Sequence, residues 1–330
     1  YKYTPISNPL EFQQKHLQFC LSLELKGRIL VGEEGINGCV YGTKSQIERY
    51  KNELRQNPLF LDIEFKDNLA EKPAYRKMFV RVRKEIVYSG LNVDLRNTGK
   101  FITPKDIKEM LDRNEDIALV DMRNGYEFRI GRFRNAINLP IENFRDLPQA
   151  VKNIENLKNK KIVAYCTGGI RCEKATALLK ENGFKDVCQI KGGILKYGEE
   201  FPDTYWEGKC FVFDDRLAIQ INKFNTEPLE ECAWCKKKCD DYFNCHNLDC
   251  DKLFVCCENC KEMRNKSCSE ECSIAPKRRK EIVLVGYEQD PRPYLSQFSP
   301  QLHLFPQYLK IVYYFSQQSH QQPSKVLKLF

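Results

Sequence analysis

Cys166 stands in a segment whose residue types favour a reactive thiolate. Residues 162–165 are apolar and favour a β-strand, Gly168 and Gly169 permit a sharp turn, and residues 173–180 are good helix formers. Backbone N–H groups converge in such a loop and at a helix start, so they favour a negative charge on sulfur and lower the thiol pKa. The alternative is an inert buried cysteine at a strand end. The pattern predicts a nucleophile at Cys166.

The spacing after Cys166 separates two kinds of chemistry. Arg171 follows after four intervening residues, whereas cysteine phosphatases place their phosphate-binding arginine after five. A loop this short closes around a group smaller than phosphate, such as the outer sulfur of a persulfide. Cys172 has two interpretations: it resolves an oxidised or persulfidated Cys166, or it is a small residue that packs the first helical turn.

A second concentration of chemistry lies in residues 232–272, which hold ten of the 16 cysteines. Short cysteine pairs bind tetrahedral Zn²⁺, because two thiolates from one tight turn occupy two corners and another pair completes the shell. Alternating pairs would hold two structural zinc ions, one by Cys232, Cys235, Cys257 and Cys260 and the other by Cys245, Cys250, Cys268 and Cys272. Cys239, Cys256 and His246 are left over, and any of them could exchange with a named ligand, with Cys239 as the first possible substitute. The alternative is a disulfide framework, but a reactive cysteine loop fits a reducing compartment better.

The 330-residue chain is long enough for two or three domains with their own cores, and its formal net charge is +8. It has no apolar run long enough to span a membrane, so we expect a protein without membrane contact. The sequence contains no flavin or nicotinamide motif. Four units are predicted: residues 1–95, 98–210 and 211–280, and a tail at 281–330 of unknown role and partial order, although residues 311–315 have strand propensity.

The first unit alternates short strands with amphipathic helices, which favours a ferredoxin-like (acylphosphatase-like) α+β domain. Its hairpin carries a glycine-rich run at residues 32–38 that permits tight turns. Basic residues alternate with apolar ones near its end and make one strand face cationic, which suggests RNA positioning through Lys77, Arg81, Arg83 and Lys84. The alternative is a solvated edge strand, since fold alone does not establish RNA binding.

The second unit resembles the rhodanese family. The likeness is carried by the run Cys166-Thr167-Gly168-Gly169-Ile170-Arg171-Cys172, by a strand that ends in Asp121-Met122-Arg123, and by a Gly-Gly turn after residue 190. Rhodaneses commonly carry histidine where this chain has Arg132. The expected fold class is therefore α/β, with a rhodanese-like parallel sheet flanked by the ferredoxin-like domain and by a small C-terminal zinc-binding module.

The order of the three units resembles the bacterial tRNA uridine hydroxylase family over residues 1–280. This resemblance implies oxygen-dependent formation of 5-hydroxyuridine at the wobble position, with Cys166 essential, molecular oxygen as co-substrate, the tRNA anticodon arm as partner and a cytoplasmic location. A thiolate is competent for the chemistry, because its addition at uracil C6 makes C5 carbanion-like. Alternatively, Cys166 is first oxidised and acts as the oxidant. Arg171, Arg123 and the loop amides would stabilise the uracil O4 or a phosphate electrostatically, and Asp121 is a further candidate catalytic residue.

Two other functions remain open from the sequence. A plain sulfurtransferase with thiosulfate or a protein persulfide as donor needs only the middle unit and leaves the flanking units unexplained. A non-catalytic, zinc-dependent RNA-binding protein would use the rhodanese fold as a scaffold, but degenerate rhodaneses usually lose the cysteine that this chain keeps. The sequence does not determine the oligomeric state, the set of tRNAs or the role of the tail.

Overall fold

The computed structural model describes residues 1–70 and 72–279, and the backbone of residues 310–313. The prediction for the tail at 281–330 therefore lies outside the described residues, except that a strand, Lys310–Tyr313, coincides with part of the segment of predicted strand propensity. Within the described ranges, none of the helices combines the length and apolar character needed to cross a bilayer.

The first domain places two helices on a mixed sheet. Its elements are β1 (Lys2–Tyr3), α1 (Pro9–Ser22), β2 (Lys26–Gly32), β3 (Gly35–Thr43), α2 (Lys44–Gln56), the 3-10 helix Pro58–Phe60, β4 (Asp67–Leu69) and β5 (Met78–Val82). Asn8 begins α1, because its side chain accepts a hydrogen bond from the amide of Glu11, and Pro9 follows as the first helical residue. Thr43 and Gln46 form a capping box at the start of α2.

The hairpin of β2 and β3 is the centre of this sheet. β1 pairs antiparallel with the start of β3, and β5 pairs parallel with β2 at the other side. Lys310–Tyr313 lies between β3 and β4. The α+β class predicted from the element order is confirmed. The last strand differs from the ferredoxin arrangement, since it lies beside β2 rather than beside β1.

The rhodanese-like domain is a parallel five-stranded sheet, which confirms the predicted fold class. Its strands are β6 (Lys100–Ile102), β7 (Ile117–Asp121), β9 (Ile137–Asn138), β10 (Lys161–Tyr165) and β11 (Asp186–Ile190), in the spatial order β6-β11-β10-β7-β9. Its helices are α3 (Pro104–Asp112), α4 (Gly125–Ile130), α5 (Leu147–Ala150), α6 (Ile170–Glu181) and α7 (Gly193–Glu200), with 3-10 turns at Leu95–Asn97, Phe144–Asp146 and Val151–Leu157. Thr103 caps α3 by accepting from the amide of Asp106.

A separate small sheet joins this domain to the cysteine-rich module. It contains β8 (Gly131–Phe133), β12 (Trp206–Phe211) and β13 (Ala218–Gln220). The module itself is a hairpin of β14 (Tyr242–Asn244) and β15 (Leu253–Val255), followed by α8 (Glu258–Met263) and α9 (Glu270–Ser273). Its core combines six buried cysteines with Tyr242, Phe254 and Val255 and packs on Ile130 and Phe211. This core is too small to stabilise the module through apolar burial alone.

Candidate active site

Strand β10 delivers Cys166 to the carboxyl edge of the parallel sheet, which is where α/β folds bind ligands. The loop that follows turns at Gly169, whose φ of +103° is a conformation that favours glycine. Helix α6 begins at the next residue. The amide of Gly169 donates to the sulfur of Cys166 at 3.1 Å. The loop therefore wraps its own backbone donors around a fully buried thiol.

The surroundings of Cys166 favour the thiolate. Burial alone would raise the pKa of this thiol, but hydrogen bonding from Cys172, the charge of Arg171 and the amides of Cys172 and Gly169 lower the pKa to about 6. Burial and the neighbouring Cys166 raise the pKa of the Cys172 thiol well above its ordinary value. Cys172 is thus a neutral donor to Cys166 at neutral pH.

Arg171 is held inside the domain by a buried carboxylate. Its guanidinium donates to Glu127 at 2.6 and 2.8 Å, and also to the hydroxyl of Thr167 at 3.3 Å. Both partners of this pair are fully buried. The bidentate geometry fixes the arginine next to the loop. Arg171 therefore acts on Cys166 through its charge. Its two terminal nitrogens are engaged, whereas its buried Nε has no hydrogen-bond partner among the described residues.

Asp121 and Arg123 form a second buried ion pair under the loop. The two side chains are joined by three hydrogen bonds of 2.6 to 3.1 Å, and Arg123 also donates to the carbonyl of Gly131 at 2.6 Å. The guanidinium lies 5.2 Å from the Trp206 ring centroid. The sequence suggested that Arg123 and Arg171 face the substrate. In the structure both lie within ion pairs, because the low-dielectric interior needs each buried charge matched.

Glu127 is a site residue that sequence reasoning missed. It lies three residues after Asn124, and the pair has the spacing of a capping box at the start of α4. That spacing is a local signal for a helix start, so it gave no reason to expect a partner 44 residues away in Arg171. The role of Glu127 as the partner of Arg171 is visible only in the folded structure, where α4 lies against the Cys166 loop.

The first domain covers the Cys166 loop. The Tyr3 hydroxyl reaches the carbonyl of Ile170 at 3.4 Å, and a Cβ placed on Gly169 would lie 2.9 Å from the Tyr1 hydroxyl. A pocket of about 380 Å³ opens beside the loop, lined in part by Tyr1, Lys66, Glu173 and Gly192. Burial raises the pKa of Glu173 and lowers that of Lys66, and Cys166 interacts electrostatically with both.

A buried lysine joins the first domain to the helix that follows the Cys166 loop. The ammonium of Lys174, on α6, donates to Glu85 at 2.8 Å and to Glu34 at 3.1 Å. Glu34 also accepts from the amide of Ile86 at 2.7 Å, and Asn37 donates to the carbonyl of the same residue at 2.7 Å. The glycine-rich hairpin therefore forms a tight turn and also connects the first domain to the rhodanese-like domain.

The electrostatic role of Cys172 gives a prediction about pH. Cys172→Ala removes a donor to Cys166, so the thiolate of Cys166 should form at a higher pH than in the parent, where its pKa is about 6. Thiolate absorbance in the ultraviolet, taken as the difference from Cys166→Ser, measures the midpoint. Cys172→Ser keeps a hydroxyl donor and is the control, with a smaller upward shift. An unchanged midpoint in Cys172→Ala would show that Cys172 only fills space.

The eight cysteines predicted as metal ligands form two groups. Cys232, Cys235, Cys257 and Cys260 make the first, and Cys245, Cys250, Cys268 and Cys272 make the second; within each group the sulfurs lie within 4.8 Å of one another. In the first group the sulfurs of Cys235 and Cys257 lie 3.7 Å apart, and in the second those of Cys250 and Cys268 lie 3.6 Å apart. Tetrahedral thiolates with a Zn–S distance of about 2.3 Å are roughly 3.8 Å apart, so both groups fit the ion. All 16 cysteines are free thiols.

Each four-cysteine group consists of two cysteine pairs, and local backbone structure positions the members of a pair. Cys232 and Cys235 lie in a tight turn that the amide of Lys236 closes onto the carbonyl of Cys232, and Cys257 and Cys260 lie at the start of α8. Ser269 caps α9 and so places Cys272. The possible substitute, Cys239, is buried in the core of the module and belongs to neither group.

The four basic residues predicted to contact RNA are exposed on β5 and immediately before and after it: Lys77, Arg81, Arg83 and Lys84. The Arg81 guanidinium lies 5.0 Å from the centroid of the exposed Phe79 ring. Burial and the nearby Arg83 lower the pKa of Arg81. Like charges thus lie close together here, as in surfaces that bind phosphates.

Comparisons with protein-family descriptions agree with this architecture. Three family descriptions match in order: a UPF0176 acylphosphatase like domain at residues 1–86, a rhodanese-like domain at 103–200 and a rhodanase C-terminal domain at 207–273. A rhodanese-related protein of known structure from Thermoplasma volcanium is 28% identical, with a TM-score of 0.27, over 31% of this chain and 92% of that one.

Two relatives extend the match to most of the chain. A protein of Cytophaga hutchinsonii named tRNA uridine(34) hydroxylase is 42% identical over 92% of this chain and 96% of its own length. A Bacillus mycoides protein of the same name is 44% identical over 84% of this chain and 89% of its own. Together with the thiol loop and the three domains in this order, these matches show that the chain belongs to the tRNA uridine(34) hydroxylase family.

Proposed function

We propose that this protein hydroxylates C5 of uridine 34 in tRNA and that Cys166 is the nucleophile. The observation that carries the proposal is the thiol itself: it lies in a loop of backbone donors, and its pKa is lowered to about 6. A large fraction is therefore thiolate at neutral pH. The relatives named tRNA uridine(34) hydroxylase support the choice of substrate.

The thiolate would act on a ring that is otherwise inert toward oxygen. Addition of the Cys166 sulfur to C6 forms a C–S bond and places negative charge on C5 and O4. C5 would then bind molecular oxygen, two electrons from a pair of external thiols would cleave the O–O bond, and loss of the C5 proton would expel the Cys166 thiolate and break the C–S bond. Overall, uridine, molecular oxygen and two thiols would give 5-hydroxyuridine, a disulfide and water. In the alternative route the Cys166 sulfur is oxidised first and delivers its oxygen. Both routes need Cys166 in the reduced state at the start.

The target base would enter the 380 Å³ pocket beside the loop. The pocket brings Glu173 and Lys66 to the side of the loop that Tyr1 covers, and both interact electrostatically with Cys166. A wobble base is unpaired, so its displacement into a pocket requires less unstacking than a base in a duplex. Asp121, Arg123 and Arg171 would be positioning residues, because their ion pairs hold the loop and its charge in place.

Two structural zinc ions would complete the protein. Each four-cysteine group supplies a closed thiolate shell, which leaves no coordination position for substrate. The zinc ions would therefore support folding, and oxygen would react at the Cys166 site. Free thiols and a thiolate nucleophile suit a reducing compartment, which supports a proposed cytoplasmic location.

The first domain would hold the anticodon arm through phosphate contacts. Replacement of Lys77, Arg81, Arg83 and Lys84 together by Ala should weaken tRNA binding and flatten its salt dependence, because each lost phosphate contact removes about one released counterion. Filter binding at several salt concentrations measures both. The control replaces four exposed lysines of the rhodanese-like domain, Lys100, Lys105, Lys152 and Lys185, with the same change in charge. Equal effects in the two variants would place the RNA surface elsewhere.

Nucleoside mass spectrometry of tRNA tests the function itself. In a strain that lacks its own hydroxylase, this gene should restore 5-hydroxyuridine at position 34. A restored thiosulfate sulfurtransferase activity without 5-hydroxyuridine would favour the sulfurtransferase alternative, and tRNA binding without either activity would favour a non-catalytic RNA-binding protein.

A further inference from the structure

A cavity of about 570 Å³ lies where the three domains meet. Arg28 and Tyr75 reach it from the first domain, Tyr126 and Asn143 from the rhodanese-like domain, and Lys252 from the cysteine-rich module. Its volume is in the range of specific small-molecule sites. It shares no lining residue with the 380 Å³ pocket beside the loop, so the two are distinct.

Aromatic rings form much of the wall. Tyr75, Tyr126 and Phe213 are each half-buried, so each ring presents part of its surface to the cavity. Phe211 packs against Phe213 at 5.2 Å and against Tyr126 at 5.0 Å between centroids, and the Tyr75 hydroxyl donates to the carbonyl of Phe213 at 3.4 Å. Preformed, partly exposed rings are the surfaces on which unpaired bases stack.

The charges of the lining suit a base with its phosphodiester better than a free nucleoside polyphosphate. The three cations Arg28, Arg129 and Lys252 are balanced by the three carboxylates Glu142, Asp214 and Asp215. Asp214 and Asp215 form ion pairs with Arg216 and Arg76. Arg129 and Lys252 are the exposed cations of the lining, and Arg129 also lies 3.7 Å from Glu230. These two side chains are the ones that the phosphodiester of a bound RNA would contact.

The cavity wall and the Cys166 loop share one ion pair. The Arg171 guanidinium lies 5.8 Å from the Phe213 ring centroid, and its partner Glu127 follows Tyr126 in the chain. An RNA strand that places one base at Cys166 could therefore place a neighbouring base in the cavity. We infer that this cavity binds the base of an unpaired nucleotide that flanks the target uridine, an inference that rests on the proposed function.

Binding of a stem–loop RNA with the anticodon-arm sequence to the full chain tests this site without reference to hydroxylation. Tyr75→Ala should weaken binding about fivefold to a hundredfold, the range that corresponds to loss of stacking on one base. Tyr75→Phe keeps the ring, and Phe224→Ala removes a ring that is 87% exposed and lies outside the cavity lining. Both should bind within about twofold of the parent. Lys252→Ala, an exposed change with little consequence for folding, should also weaken binding.

Cross-linking locates the base directly. With 4-thiouridine placed singly at each loop position, a position beside the target should cross-link to peptides that contain Tyr75 or Tyr126. Unchanged affinity in both Tyr75→Ala and Lys252→Ala, or cross-links of flanking positions only to other peptides, would overturn the inference. If the inference is overturned in this way but the parent protein still hydroxylates uridine 34, the proposed function is retained. Tyr75-dependent binding without hydroxylation would retain the RNA site and reject the proposed function.

Discussion

Cys166→Ser should abolish 5-hydroxyuridine formation while the protein stays folded and still binds tRNA. The serine hydroxyl is similar in size to the thiol, so the buried loop can accept it, but it is far too basic to ionise where the thiol pKa is about 6. Without a thiolate, neither addition at C6 nor oxidation of the sulfur can occur. Mass spectrometry of the product nucleoside, with thermal unfolding and tRNA binding measured in parallel, checks all three statements.

Cys188→Ser is the matched control for this experiment. Cys188 is also a buried cysteine of the parallel sheet, on the neighbouring strand β11, and burial raises the pKa of its thiol. It should remain a thiol at neutral pH, so its replacement should leave most of the activity. Normal activity in Cys166→Ser would reject the thiolate mechanism, and equal losses in the two variants would indicate a general effect on folding.

The second large effect concerns metal. The purified protein should contain close to two zinc ions per chain, and Cys257→Ser should release one of them and unfold much of the cysteine-rich module. The apolar core of that module is small, whereas thiolate coordination contributes on the order of 10 kcal/mol to folding. Elemental analysis measures the metal, and protease sensitivity of residues 232–272 measures the order of the module.

Cys239→Ser is the control, because Cys239 is buried in the same module but belongs to neither four-cysteine group. It should keep both zinc ions. Loss of zinc in Cys239→Ser with retention in Cys257→Ser would exchange the two residues as ligands. An active protein without zinc and with oxidised cysteine pairs would reject metal binding altogether.

Several parts of this protein follow from local sequence because local physics creates them. The strand, the glycine turn and the helix start around Cys166 are adjacent in the chain, so the loop and its lowered thiol pKa could be predicted together. Each short cysteine turn also forms within a few residues. The sequence analysis joined the first cysteine pair with the third and the second pair with the fourth, and the structure has the same two groups. The hairpin β14–β15 and the two short helices bring these pairs together.

The contacts that these local elements make with distant parts of the chain depend on the tertiary structure. The sequence led us to expect that Arg171 and Arg123 stabilise the uracil O4 or a phosphate. Only packing shows that Glu127 and Asp121 pair with their guanidinium groups inside the domain. Lys174 and the glycine-rich hairpin carried no sign that they join two domains. Tyr1 and Tyr3 gave no indication that they cover the loop. The sequence by itself predicted the candidate nucleophile and the cysteine pairs, because their chemistry depends on near neighbours. The partners of buried charges and the cavity between domains depend on residues distant in the chain, which only packing brings together.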